Sequence, residues 1–316
     1  MVKRIYKVGL IGYSEGDGHP YSFAAIINGY DKQRMELSPY PVIADYLSKH
    51  GESEFGVGNF HVSHVWAQER KITEDIAACT YIDHVVNDYE DFPSDVKAVI
   101  IARDDAESHY KIASYFLERG VTVFIDKPLT RNLEELDYFK PYLENGQLMS
   151  CSGFRYYPLI KNNCNNELKS DQVVFSHSVS IIDWYRYGIH VLEGITPIMG
   201  AEINWVQNTG EEGNEIVRIS YKNGRYALIQ VNNHIGFVLR SSFYTNQNKH
   251  FTIDFDDNFS CFRGLLWKFY KMFMEQKPVI PAEETIALMK TLYAAELSRK
   301  RGGQKIHLTD VGVVVH

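Results

Sequence analysis

Asp126, Lys127 and Pro128 stand together directly after the apolar run Val121 to Ile125. If that run is a buried parallel strand, the lysine lies at its carboxyl end, where open α/β sheets bind their ligands. Its ammonium can donate to a substrate hydroxyl, and partial burial would bring its pKa toward neutrality for acid–base work. Asp126 could orient the ammonium, and Pro128 would stiffen the turn. On spacing alone, the same residues read sooner as a surface ion pair between neighbours.

A second group lies in Tyr187-Gly188-Ile189-His190-Val191-Leu192-Glu193. His190 and Glu193 are three apart and share one face if the segment is helical. Histidine suits a hydroxyl–carbonyl redox reaction because its charge changes near physiological pH. Flanked by Ile189 and Val191, it also reads as a packing residue. No further ligands gather with this pair in the sequence, so no metal site is expected.

The third candidate is Gly12-x-Ser14-x-Gly16-x-Gly18, between an apolar run and a helix. In that setting backbone N–H groups and a helix N-terminus hold a pyrophosphate. Ser14 takes the second glycine position and the loop is longer than usual. The acid that would bond the adenosine ribose after the second strand is missing; Gln68-Glu69-Arg70-Lys71 stands there. Arg70 or Lys71 would suit a 2′-phosphate, or both are solvated charges at a helix start, so NAD and NADP both remain open.

These residues need elements to hold them. Strands are expected at Tyr6 to Gly12, Phe60 to Ala67, Val96 to Ala102 and Val121 to Ile125. Helices are expected at Ser22 to Gly29, Glu69 to Cys79, His109 to Glu118 and Leu133 to Glu144, with residues 30–58 irregular. That alternation implies βαβ units and a parallel sheet. Beyond about residue 150 the rhythm changes. Met149 to Gly153, Val173 to Ser180, Ile216 to Tyr221, Tyr226 to Val231 and Thr252 to Phe255 read as strands. Asn223-Gly224 signals a hairpin, hence an antiparallel sheet. Gly264 to Glu275 and Pro281 to about Lys300 read as closing helices, the second with Glu283 and Glu284 in its first turn and basic residues at its end. The expected fold is an α/β Rossmann dinucleotide-binding domain, residues 1–130, followed by an α+β domain, residues 131–316. The second domain carries a predominantly antiparallel sheet, and helix 281–300 is expected to pack back on the first.

The 316 residues carry a net charge of −7, against a nucleic-acid binder, which would show a basic face. No apolar run approaches the roughly 18–20 residues of a membrane span. Met1 to Ile11 lacks the apolar core and cleavage site of a signal peptide. Cys79, Cys151, Cys164 and Cys261 are scattered without Cys-x-x-Cys spacing and read as reduced thiols of a cytoplasmic protein.

Taken together, these residues resemble the Gfo/Idh/MocA family, named for glucose-fructose oxidoreductase and inositol dehydrogenase. The family's glycine-rich first turn, Glu-Lys-Pro motif and Gly-x-His motif appear in order as Gly12 to Gly18, Asp126-Lys127-Pro128 and Gly188-Ile189-His190. Ala102-Arg103-Asp104-Asp105 and Ser152-Gly153-Phe154-Arg155-Tyr156-Tyr157-Pro158 resemble further family segments, and the resemblance spans nearly the whole chain. It implies hydride transfer between NAD or NADP and a hydroxyl or carbonyl carbon of a sugar, polyol or nucleotide-linked sugar. Lys127 would bind the substrate oxygen and His190 would exchange its proton. Gly12, Ser14, Gly16, Gly18, Arg103, Asp126 and Lys127 would hold the cofactor; Arg155, Asp183, Tyr187 and Glu193 would line a polar substrate pocket. The chain departs from the pattern at Asp126 for glutamate, Glu193 for aspartate, and Arg186, four before His190, where aspartate is common. A homodimer or homotetramer is implied. A dinucleotide-binding regulator without catalysis, and a redox-neutral lyase or glycosidase using NAD transiently, are the alternatives; in the latter Tyr185 or Tyr187 would be the extra base.

Overall fold

The computed structural model describes residues 4–160 and 172–312. Cys164 and the first three residues lie outside the described residues. The chain divides into two compact units: residues 1–129, 139–150 and 257–280 form one, and residues 130–138, 151–256 and 281–316 the other.

The first unit is built on six parallel strands: β1 Tyr6–Ile11, β2 Phe60–Trp66, β3 His84–Val85, β4 Ala98–Ile101, β5 Thr122–Ile125 and β6 Leu148–Ser150. Their order is β3-β2-β1-β4-β5-β6, and every neighbouring pair is parallel. All residues of β4 and β5 are buried, which is why their sequences are continuous apolar runs instead of alternating ones. The order reverses between β1 and β4, and this switch point opens a crevice beyond the carboxyl ends of the strands. Met149, expected to begin the second half's strands, belongs to β6 and closes this sheet.

The first helix, α1, spans His19–Asn28, three residues earlier than expected, because Gly18 serves as its N-cap and Pro20 is tolerated in the first turn. Residues 30–58 are not irregular throughout. Asp31 caps α2, Lys32–Glu36, by accepting from the Arg34 N–H at 3.0 Å. The helix α3, Pro41–Leu47, starts on a proline, so Pro39-Tyr40-Pro41 marks a helix start and not a coil. The expected helices α4, Arg70–Cys79, and α5, His109–Leu117, follow; α6, Leu133–Glu144, has residues in both units.

The second unit holds α7, Ile189–Met199, and the strands β7 Val173–Ile181, β8 Ile203–Asn208, β9 Asn214–Tyr221, β10 Tyr226–Asn232, β11 Arg240–Thr245, β12 His250–Asp254 and β13 Ile306–His307. They order as β12-β11-β7-β10-β9-β8-β13, antiparallel except for the parallel pair β7–β10. The β9–β10 hairpin turns at Asn223-Gly224, with Gly224 at φ +83°, which only glycine adopts without cost. The architecture is thus the Rossmann-type parallel sheet plus mostly antiparallel second sheet that the sequence implied.

Two long helices close the chain. The first, α8, spans Asn258–Glu275 in the first unit, beginning six residues before the expected Gly264 because Asp257 accepts from the Ser260 N–H. It lays an aromatic row on the sheet: Phe262 against Phe23 at 5.3 Å, Phe269 against Phe124 at 5.8 Å, and Phe273 against Phe60 at 5.2 Å and Tyr6 at 5.1 Å. The second, α9, spans Ala282–Lys300 in the second unit, where it packs on β8. Glu283 and Glu284 face its positive end, Arg299 and Lys300 its negative end. Among the described residues, no helix is long and apolar enough to cross a membrane.

Phe23 is fully buried beneath this row. Phe23→Ala should cost about 3–5 kcal/mol of stability, read as a fall in the urea midpoint at unchanged slope. A midpoint equal to that of the wild type would show that α8 does not depend on this contact.

Candidate functional site

The loops that follow β1, β4 and β5 converge at the switch point. After β1, Ser14 Oγ donates to Asp104 Oδ1 at 2.5 Å and accepts the Asp104 N–H at 3.0 Å, tying the glycine loop to the end of β4. Ser14 in the second glycine position is therefore a fastening point. Arg103 bonds Asp105 through Nε and Nη2, and through Nη1 reaches Gln68 Oε1 at 2.9 Å and the Gly12 carbonyl at 3.4 Å. Gln68, after β2, accepts from the Tyr13 N–H and donates to the Tyr13 carbonyl. Gly16 sits mid-loop at φ +81°, a conformation that favours glycine.

Lys127 is 3% exposed and Asp126 2% exposed. The expected surface ion pair is instead a buried element at the end of β5. Asp126 Oδ1 accepts the Lys127 N–H at 2.8 Å, and Oδ2 bonds His19 Nδ1. His19 opens α1; its Nδ1 also lies 3.2 Å from Asp17 Oδ1, which accepts the His19 N–H at 2.9 Å. Its ring stacks on Phe23 and meets Phe262 edge-on, so aromatic packing fixes it.

Charge in this pocket is balanced over short distances. Burial pushes the Asp17 carboxyl up to about 6; the charges of Asp126 and Asp104 add to this, while His19 and Lys127 oppose it. For His19 burial acts downward, but Asp126 and Asp17 outweigh it and hold the imidazole above its ordinary value. Asp17, His19 and Asp126 bring possible ligand atoms within 4.8 Å of one another. The histidine already spans both carboxylates and Lys127 lies close by, so the group is a compensated charge network.

A dinucleotide suits these residues. Gly18, the N-cap of α1, has no room for a Cβ, which would come within 2.8 Å of Ile43 and 3.0 Å of Tyr40, and it puts no side chain over the helix start. His19, Arg103 and Lys127 give the crevice three cationic groups. They would hold the phosphates and nicotinamide end, with Asp17 partly neutralised by protonation. Arg70, a candidate for a 2′-phosphate, is engaged by Glu74 at 2.7 Å and Asn87 at 3.0 Å.

In the second unit, one turn of π-helix, Trp184–Gly188, leads into α7. Asp183 caps it, its carboxylate accepting the Arg186 N–H at 2.7 Å and its carbonyl the N–H groups of Tyr187 and Gly188. Gly188 must be glycine, since a Cβ there would stand 2.4 Å from the Trp184 ring. His190 and Glu193 lie on one face of α7 and meet the turn Gly153–Tyr156. Ser152 Oγ bonds His190 Nδ1 at 2.7 Å, and the His190 ring packs against Phe154 and Tyr187. Arg155 donates to Glu193 Oε2 at 2.5 Å and to Glu284 Oε2 at 2.6 Å. Burial raises the Glu193 carboxyl, and the Arg155 guanidinium opposes the rise. Tyr185 is bonded to Glu296 and lies under Arg131.

Of the residues singled out in the sequence, Gly12, Ser14, Gly16, Gly18, Arg103, Asp126 and Lys127 belong to the first unit. His190, Glu193, Arg155, Asp183 and Tyr187 belong to the second. Arg155 and Glu193 spend their charges on each other and on Glu284, and Asp183 on its helix start. Sequence reading missed Asp17, His19, Asp104, Gln68 and Ser152. Asp17-Gly18-His19-Pro20 carried a signal, because a charged pair ahead of a first-turn proline sits where a helix opens.

The family model for an oxidoreductase family with an NAD-binding Rossmann fold, Gfo/Idh/MocA, matches residues 42–152. The match falls on the first unit's parallel sheet, from α3 to β6. A search of curated proteins finds no match. Among solved structures, scyllo-inositol dehydrogenase from Lactobacillus casei with bound NAD(H) and scyllo-inositol aligns with a TM-score of 0.74 at 13% identity, over 97% of this chain and 100% of that one. A myo-inositol dehydrogenase from Corynebacterium glutamicum gives 0.73 at 13% identity, over 96% and 99%. A probable dehydrogenase from Thermotoga maritima gives 0.72 at 14% identity, also over 96% and 99%. At such identities the likeness is one of fold.

Two outcomes follow. The Asp17 carboxyl rises from 3.8 to about 6 on folding, so the stability it contributes is complete below about pH 4 and lost as pH climbs through 6. Asp17→Asn should therefore exceed the unliganded wild type in stability near pH 8, by up to about 3 kcal/mol, and show no such gain near pH 4. Equal gains at both pH values in thermal unfolding would reject this origin. Glu193→Gln strips the buried guanidinium of its closest partner and should cost about 3–5 kcal/mol, measured by chemical denaturation; a loss below about 1 kcal/mol would mean that Glu284 alone suffices.

Proposed function

We propose that this oxidoreductase is an NAD-dependent dehydrogenase or reductase acting at a hydroxyl or carbonyl carbon of a sugar, polyol or nucleotide-linked sugar. Lys127 carries the reading. A lysine so deeply buried, at the carboxyl end of a central parallel strand and beside the glycine loop, is held where an ammonium can meet a reacting oxygen. The bound nicotinamide would accept or supply the hydride. Lys127 would polarise the substrate oxygen, stabilising the alkoxide character that develops as hydride leaves or arrives. Asp126 supports it by fixing the strand end, and His19 by neutralising Asp126. The family resemblance assigns the proton exchange to His190.

NAD is favoured over NADP, because Glu74 and Asn87 already occupy Arg70, a cation that would otherwise suit a 2′-phosphate. The inositol named with one structural neighbour supports a polyhydroxylated substrate. Tyr187 and Asp183 would shape its pocket, while Arg155 and Glu193 would act as the buried pair that holds α7 in place. A cytoplasmic setting agrees with Cys79, Cys151 and Cys261 being buried and unbridged. The family resemblance supports a homodimer or homotetramer.

Lys127→Ala should lower turnover of an active polyol by at least about a thousandfold while NADH affinity, followed by tryptophan fluorescence, changes only a few-fold. Screening NAD+ with inositols, hexoses and nucleotide sugars would supply the substrate. Unchanged turnover in the variant would remove Lys127 from the mechanism, and binding of neither NADH nor NADPH by the wild type would overturn the enzyme reading.

A further inference from the structure

Ser152 makes three connections at the start of the turn that faces α7. Its backbone N–H bonds the Glu193 carboxylate. Its hydroxyl oxygen accepts the Phe154 N–H at 3.2 Å. The same hydroxyl bonds His190 Nδ1 at 2.7 Å, and among the described residues no other side chain is bonded to it. The residue one turn ahead of His190 is Arg186, whose guanidinium has no lone pair to receive an imidazole N–H.

We propose that Ser152 is the positioning residue for His190: it fixes the ring plane and selects the tautomer with the proton on Nε2. With the Phe154 N–H on the hydroxyl oxygen, Nδ1 lies where the hydroxyl's own proton can be received, and a neutral ring that receives it carries its hydrogen on Nε2. Proton exchange with substrate then falls to Nε2. When the ring is protonated, Nδ1–H turns to the serine oxygen and the hydroxyl reverses from donor to acceptor. A carboxylate in this place could only accept and would hold the neutral ring in the opposite tautomer. Phe154 and Tyr187, packed on the ring, limit its tilt, so the hydroxyl has to decide only which nitrogen carries the proton.

The importance of this for turnover rests on the function proposed above, but the tautomer is read without turnover, so the two fail separately. Two-bond proton–nitrogen correlation spectra of the labelled full-length protein, with the His190 signals assigned through His190→Gln, report which nitrogen is protonated above the imidazole's titration. The wild type should show the Nε2–H form. Ser152→Thr, which keeps the hydroxyl, should retain it, and Ser152→Ala should shift the ring to a mixture of both forms. An Nδ1–H ring in the wild type would overturn the proposal, as would an unaltered Nε2–H ring in Ser152→Ala. If Ser152→Ala fails to fold, the wild-type and Ser152→Thr spectra decide the matter.

Discussion

Asp126 ends a strand whose neighbours on both sides are apolar, and its carboxylate is almost wholly removed from water. A charge in that position is costly unless groups with opposite charge or N–H donors surround it. Two come from different parts of the chain: the N–H of the next residue, and the imidazole that opens α1. Meeting this one charge fixes where the first helix begins relative to the fifth strand. The glycine loop between β1 and α1 is then held at two points, by Ser14 on Asp104 and by His19 on Asp126. Lys127 inherits its position from the same arrangement.

The second unit solves a similar problem with a longer chain of charges. Glu193, Arg155 and Glu284 come from α7, the turn after β6 and α9, and none is usefully exposed to solvent except Glu284. A buried ion pair contributes little net stability but fixes one geometry, because any shift leaves a charge unpaired. The benefit falls on the histidine one turn away. The same face of α7 that locks Glu193 to the turn presents His190 to Ser152.

Much of this was legible in the chain. Continuous apolar runs of four or so residues marked the parallel strands, and Asp126-Lys127-Pro128 followed one of them. The short helices α2 and α3 were hidden because a few residues give no periodicity, and their starts, Asp31 and Pro41, also read as turn residues. Strand β11, Arg-Ser-Ser-Phe-Tyr-Thr, was hidden because its buried Ser241 pairs with the buried Ser178 of β7, so a polar residue occupies an inward position. Arg155 and Glu193 looked like pocket residues, since sequence shows charge but not what neutralises it. His19 and Ser152 were passed over for the opposite reason: each matters through a partner far away in sequence.

The first unit is discontinuous. Its sheet is complete by residue 150, yet the aromatic row that covers Phe23, Phe60 and Phe124 arrives only with α8, after more than a hundred further residues. On the ribosome, at roughly 5–20 residues per second, the nascent sheet would wait several seconds with that apolar face uncovered. Strands β7 to β12 are made in this interval, so the element that closes the dinucleotide-binding half emerges after six of the seven strands of the other sheet and before α9 and β13 complete it. Until α8 emerges, that apolar face is the part of the first unit open to off-pathway contacts during synthesis.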